Sequence, residues 1–377
     1  MLIGIDAGPL LGHGGISRYV SPLVSAFCAA RGASDVELVL RRSWRQHAGL
    51  SRLRQLAPVT EVGTPDRLLT FWWEHMHSPF PAGGTLWKRF DLYLDTCLMG
   101  PVLTRGKLLA VIYDLIPLRL PALFPEHGRF REKLERLCQQ ADRLIAISQQ
   151  TARDLTDLLQ VEPARISVIY PGQSLNGAVS PSVRSRTVLN KYGITGPYML
   201  YVGAMGPHKN VSRLVEAFET AKATGTVRAK LVLVGGTEWG RATLARIEAS
   251  SVKQDIVVVG FVPDSDLPHF YAAAECFVFP SLYEGFGLPV LEAMEQGLPV
   301  LASRSGALPE VVGDAGVLVD PDDPHVWAHE LVRLTHDAEL RQTLGRRSRE
   351  QAARFSWAHS AQQLSTLFEA VHRGVAQ

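Results

Sequence analysis

Cysteine is scarce in this sequence. There are four in 377 residues, Cys28, Cys97, Cys138 and Cys276, all far apart. No pair has metal-type spacing, so neither a zinc framework nor a dense disulfide scaffold is expected. Each lies in an apolar or helical-looking stretch, which reads as reduced core thiols. An excess of one charge is also missing. The formal net charge is +2, too little for a dedicated nucleic-acid binder. No run approaches the roughly 20 apolar residues that span a bilayer. No basic segment leads into a long apolar one at the start, so a signal peptide is not expected and the protein reads as cytoplasmic. Low-complexity tracts and short-period repeats are lacking too.

What the chain does have is length and punctuation. At 377 residues it suits two cores better than one. The 32 glycines and 23 prolines fall between apolar runs and mark turns. Short β-branched runs predict strands at 2–6, 36–40, 108–113, 144–147 and 166–169 in the first half. In the second they fall at 198–202, 230–234, 256–259, 276–279 and 299–302. Helical patterns alternate with them, at 126–141 and 149–159 among others. Strands without internal alternation, separated by helices, predict parallel sheets covered on both faces.

The fold class is therefore α/β, as two doubly wound Rossmann-like domains facing across a cleft. The stretch from Tyr170 to Pro197 holds Pro171-Gly172, Ser180-Pro181 and Gly196-Pro197 and little apolar periodicity, so the linker is placed within it, at 176–196. That leaves an N-terminal domain over 1–175 and a C-terminal one over 197–356. In such sheets ligands sit beyond the carboxyl ends of the strands.

The strongest local pattern is Phe279-Pro280-Ser281-Leu282-Tyr283-Glu284-Gly285-Phe286-Gly287-Leu288-Pro289-Val290-Leu291-Glu292-Ala293-Met294. A buried strand ends in a glycine-rich turn, and Pro289 suits the first turn of a helix. Gly285 and Gly287 let backbone approach a ligand. The helix start, with Phe286 and Leu288 beside it, offers free N–H groups and a positive dipole end to an anion such as a diphosphate. Glu284 and Glu292, with seven residues between them, would repel phosphate but grip hydroxyls of a sugar and a ribose. The residues alone indicate a nucleotide or sugar-phosphate site.

This segment resembles the Glu-x7-Glu signature of the retaining glycosyltransferases of family 4, which have the GT-B fold. Upstream, Leu200-Tyr201-Val202-Gly203 and His208-Lys209-Asn210 are similar to that family's phosphate-binding strand end and helix start. The resemblance gives Lys209 the role of a cation facing the diphosphate, with His208 beside it and able to share that role if protonated. Gly14 and Gly15, in Gly12-His13-Gly14-Gly15 after the first strand, resemble the N-domain loop that approaches the donor or acceptor. By spacing alone that glycine pair reads equally as tight packing. Val262, in Gly260-Phe261-Val262-Pro263-Asp264, matches a loop that contacts the nucleobase through its backbone. Gly306-Ala307-Leu308-Pro309-Glu310 also matches.

Asp114, in Tyr113-Asp114-Leu115-Ile116-Pro117-Leu118, ends a strand and reads either as a ligand contact or as a cap on the next turn. The sequence departs from the family at two positions. Ala204 stands where many relatives have arginine, and Tyr113 where relatives with this wording have histidine.

The resemblance implies front-face transfer with retention, in which Glu284 orients the donor sugar, Glu292 holds the ribose and Lys209 steadies the leaving group. It implies no cofactor besides the nucleotide-sugar co-substrate, and no required metal. The Asp-Leu-Ile-Pro-Leu wording leans toward bacterial polysaccharide mannosyltransferases, hence GDP-mannose first and UDP-sugars second. The acceptor is expected to be a glycan or a polyprenyl-diphosphate-linked one. Alternatives on the same fold are a non-catalytic nucleotide- or carbohydrate-binding subunit and a sugar-nucleotide epimerase.

Arg41, Arg42, Arg45, Arg52 and Arg54 cluster beside Trp44, with Trp72-Trp73 following. They read as an inner-membrane docking face or as a solvated helix with half-buried tryptophans. Phe355-Ser356-Trp357 opens a last helical segment, with Ser356 placed to cap it. In relatives that helix, here about 357–377, returns to the N-domain.

Overall fold

The computed structural model describes residues 1–12, 14–44, 46–63, 67, 90–97, 106–173 and 182–374. His13, Arg45, Trp72, Trp73 and Ser180-Pro181 lie outside the described residues. The chain divides into two compact units, residues 1–172 with 356–377, and residues 173–355.

Among the described residues the first unit holds seven strands. They are β1 (Ile3–Asp6), β2 (Val36–Leu40), β3 (Val59–Glu61), β4 (Leu92–Asp95), β5 (Lys107–Ile112), β6 (Arg143–Ala146) and β7 (Ile166–Val168). Their order is β3-β2-β1-β4-β5-β6-β7, and every described pairing in it is parallel. The central strands are buried along their whole length, as a sheet covered on both faces requires.

The last helix, Trp357–Arg373, belongs to this unit and packs on the Gly15–Arg31 helix. Phe27 meets Phe368 edge-on at 5.3 Å between ring centroids. Ser356 occupies the position before the helix, but its side chain makes no capping bond. Instead Ser360 Oγ donates to the Ser356 carbonyl and to Tyr170 O.

The second unit holds β8 (Tyr198–Val202), β9 (Lys230–Val234), β10 (Ile256–Gly260), β11 (Cys276–Phe279), β12 (Val300–Ser303) and β13 (Val317–Val319). Their order is β10-β9-β8-β11-β12-β13, again with parallel pairings. Between consecutive strands from β8 to β13 lie the helices Val211–Ala223, Arg241–Glu248, Leu267–Ala273, Leu288–Glu295 and Leu308–Val312.

Three expectations change. The stretch read as a linker contains a helix, Val183–Lys191, which belongs to the second unit. Ser182 caps it by accepting the Ser185 N–H, and Ser185 Oγ lies 3.1 Å from His269 Nδ1 on a neighbouring helix. Three strands, β3, β4 and β13, were not expected from the pattern. Two have only three residues, too few to display a period. The cysteines also divide. Cys28, Cys138 and Cys276 are buried free thiols, pushed up by burial to about 11, about 12 and about 12. Cys97 instead donates to Asp6 Oδ2 at 3.0 Å, among charged groups and not in an apolar setting.

Candidate active site

In the second sheet β8 and β11 lie side by side, yet β9 and β10 come between them in sequence. The connections leaving these two strands run in opposite directions, which opens a crevice beyond their carboxyl ends. Two of the expected residues flank that point: Lys209 follows β8 and Glu284 follows β11.

Backbone bonds fix the loops there. Leu282 N–H donates to His208 O at 2.7 Å, and Ala307 N–H donates to Glu284 O at 2.9 Å. Ser305 Oγ donates to Leu282 O. Three consecutive loops of the sheet are thus bonded to one another. Gly287 stands before the Leu288–Glu295 helix at φ +98°, and a Cβ there would lie 2.6 Å from Leu308 Cδ2. Gly306, at φ +56°, passes so close to Glu284 that a Cβ would lie 2.5 Å from its carbonyl oxygen. Both positions need glycine for conformation and for space.

The Lys209 ammonium lies 2.6 Å from Glu284 Oε1 and 5.4 Å from the centre of the Phe279 ring. Glu284 is buried at 7% exposure, so the pair sits largely out of water. A charge-assisted bond of that length is among the stronger polar contacts. His208 is half-buried beside it. Burial, then the neighbouring Lys209 charge, pushes its imidazole below the ordinary histidine value, with Glu284 opposing. The free protein therefore disfavours a protonated His208. Ala204 is exposed, and Tyr201 donates to its carbonyl at 3.1 Å.

Glu292 lies on the Leu288–Glu295 helix at 1% exposure, and its Oε2 accepts from Tyr271 Oη at 2.8 Å. Phe286 turns its ring inward against Phe355, edge-on at 5.6 Å. Its side chain serves the core, so only backbone is left to meet a ligand. Leu288 is half-buried at the first helical position. Gly285 is buried in the turn. Val262 is buried in the loop after β10.

In the first unit Gly14 precedes the Gly15–Arg31 helix at φ +111°. Among the described residues, a Cβ at Gly14 or Gly15 would meet nothing within 4 Å. Tight packing therefore does not account for the glycine pair. Asp114 Oδ1 accepts the Ile116 N–H at 3.0 Å, which is the cap geometry. Tyr113 is buried, donates to Thr96 O and meets Tyr19 edge-on at 5.7 Å.

The switch point of this sheet, between β1 and β4, holds a cluster that the sequence reading missed. Asp6 Oδ1 accepts from Gly8 N–H, Asp6 Oδ2 from Cys97 Sγ, and Asp95 Oδ1 from Cys97 N–H. Ligand-type atoms of Asp6, Asp95 and Cys97 come within 4.8 Å of one another. Arg41, 5% exposed, sits among them and does not belong to the surface basic cluster. Burial works against its charge, but Asp6 and, less strongly, Cys97, Tyr93 and Asp95 hold its pKa above the ordinary value. The available signal was an aspartate ending each of two neighbouring strands.

Among the described residues, no helix is long and apolar enough to cross a membrane.

Comparison with known proteins bears on the whole chain. Residues 187–351 match the family described as Glycosyl transferases group 1, and residues 13–176 match Glycosyltransferase Family 4. The O-antigen chain mannosyltransferase B of Escherichia coli is 33% identical over 371 residues, which are 93% of this chain and 94% of that one. A sucrose-phosphate synthase structure from Thermosynechococcus elongatus superposes with a TM-score of 0.74 at 23% identity, covering 99% of both chains. The Anabaena HepE structure, solved in complex with UDP and glucose, gives a TM-score of 0.74 at 19% identity over 98% of this chain and 99% of that one. With its two doubly wound parallel sheets and these relatives, the chain belongs to the group 1 glycosyltransferases, glycosyltransferase family 4, and has their GT-B fold.

Proposed function

We propose that this glycosyltransferase moves mannose from GDP-mannose, with retained anomeric configuration, onto a glycan or polyprenyl-diphosphate-linked acceptor in surface-polysaccharide assembly. The observation that carries the reading is the Lys209–Glu284 pair at the β8/β11 switch point, beside the start of the Leu288–Glu295 helix. A diphosphate brought to that helix start meets free N–H groups and a positive dipole end. Lys209 then exchanges Glu284 for the phosphate oxygens and steadies the charge that grows on the leaving group. Glu284, released, accepts from hydroxyls of the donor sugar. Glu292 with Tyr271 holds the ribose, and the Val262 backbone faces the base. His208, Gly285, Phe286, Gly287 and Leu288 line the diphosphate through backbone or neutral groups; in the first unit, Gly14, Gly15 and Asp114 are taken as donor-binding residues.

Retention follows from front-face departure and attack, in which the leaving diphosphate oxygen takes the acceptor proton. No further general base is then needed. Mannose is favoured by the Asp-Leu-Ile-Pro-Leu segment and by the 33% identity to an O-antigen mannosyltransferase. A UDP-sugar is the second reading, favoured by the fold neighbour solved with UDP and glucose. Exposed Arg42, Arg52 and Arg54 support contact with an anionic inner-membrane surface, where a lipid-linked acceptor would be met.

A screen of GDP- and UDP-sugars, scored by nucleotide release and by the anomeric configuration of the product, tests the proposal. Turnover with GDP-mannose and a retained linkage is expected. Turnover only with a UDP-sugar reverses the order of donors, and an inverted linkage overturns the mechanism.

A further inference from the structure

Ser281 lies between β11 and the glycine-rich turn. It is fully buried, at 0% exposure, and among the described residues its hydroxyl has no hydrogen-bond partner. A buried hydroxyl without a partner carries the full loss of its hydration, so each case in a native fold calls for an explanation. An alanine methyl would fill the same place without that cost.

The location supplies the explanation. Ser281 stands three residues before Glu284, and the next residue is fastened on both sides. Leu282 N–H donates to His208 O, and Leu282 O accepts from Ser305 Oγ. These bonds hold Ser281 beside the turn that carries Lys209, at the crevice between β8 and β11. A nucleotide-sugar entering there brings a dense set of oxygen acceptors. Its arrival also breaks the Lys209–Glu284 pairing, which lets the turn readjust around the sealed hydroxyl.

We infer that Ser281 is a donor-contact residue, kept without a partner until its hydroxyl donates to an oxygen of the bound sugar diphosphate. This inference rests on the nucleotide-sugar reading above. It predicts an unusual combination: removing the hydroxyl leaves the free protein as stable as before or more so, while weakening donor binding.

Thermal unfolding and calorimetric titration with GDP-mannose, UDP-glucose, GDP and UDP test it on wild-type protein, Ser281→Ala and Ser281→Cys. Ser281→Ala is expected to unfold at an equal or higher temperature and to bind the nucleotide-sugar about tenfold more weakly, as for one lost bond to a charged acceptor. Ser281→Cys keeps the size but donates poorly. It should show the same weakening and stands in if the alanine variant fails to fold. A lower unfolding temperature for Ser281→Ala would mean that the hydroxyl has a partner within the fold, which overturns the inference. Wild-type affinity in both variants also overturns it. If the wild-type protein binds none of the four probes, the nucleotide-sugar reading falls together with the role of Ser281. If it binds and the variants match it, only the role of Ser281 falls.

Discussion

Lys209 and Glu284, 75 residues apart in sequence, meet at 2.6 Å across the β8/β11 switch point. Under the proposed function the donor engages both groups; in the free protein they pair with each other. On that proposal, donor binding is an exchange of partners and not the simple filling of an empty site. The exchange has consequences that differ from those of a lysine and a glutamate acting separately.

Glu284→Gln removes the competitor for the Lys209 ammonium. Affinity for a nucleoside diphosphate lacking the sugar is expected to rise, by about two- to tenfold for one charge-assisted contact released. Transfer should fall by about a hundredfold or more, because the sugar loses its orienting carboxylate. Calorimetry with GDP and UDP, alongside initial rates, checks both. A fall in both quantities would deny the competition.

The pair also leaves a signature in stability. Lys209→Met strands a largely buried carboxylate, and Glu284→Gln leaves an ammonium without its counter-ion. Each is expected to cost about 1–3 kcal/mol, below the range for fully buried pairs since Lys209 is partly exposed. The double variant should recover most of the loss, because no unpaired charge remains. A double-mutant cycle in urea measures the coupling.

His208 gives a pH dependence with a definite sign. Its folded pKa lies below the ordinary value because of burial and Lys209, so the unfolded chain takes up the proton first. The stability this group contributes is present above the unfolded pKa, near 6.5, and is lost as pH falls through the folded one. Denaturant unfolding between pH 7.5 and 5 should show a decline that His208→Asn makes shallower. An imidazole titrating at or above the ordinary value in NMR would contradict this.

At Gly287, substitution by alanine imposes a side chain at φ +98° and brings Cβ to 2.6 Å from Leu308 Cδ2. The expected loss is about 1–3 kcal/mol, with donor affinity reduced as the helix start shifts. Gly287→Ala with Leu308→Ala relieves the contact but not the backbone strain. Leu308 is itself fully buried, so thermal unfolding reads the cost of Gly287→Ala within the Leu308→Ala background, where it should shrink but not vanish.

The central strands were legible because each is a short, mostly apolar run, and nearly all of it is buried. The Glu284–Glu292 segment was legible because turn, helix start and acids are local in sequence. What escaped notice was either too short or too distant. β3 and β13 have three residues each, and the Val183–Lys191 helix buries only Ser185, Val188 and Leu189, a thin apolar stripe. The Asp6–Cys97 contact spans 91 residues and depends on β1 pairing with β4, a register that one sequence does not display. The Phe286 ring, turned toward Phe355, shows the same limit at the scale of a single rotamer.

Turnover of Lys209→Ala with the nucleotide-sugar that the wild-type protein uses is the most direct test of the partner exchange at the switch point. A fall in kcat of about a hundredfold to a thousandfold is expected in a protein that still folds. Undiminished turnover would show that the lysine does not take up the charge of the departing diphosphate and would rule out the partner exchange.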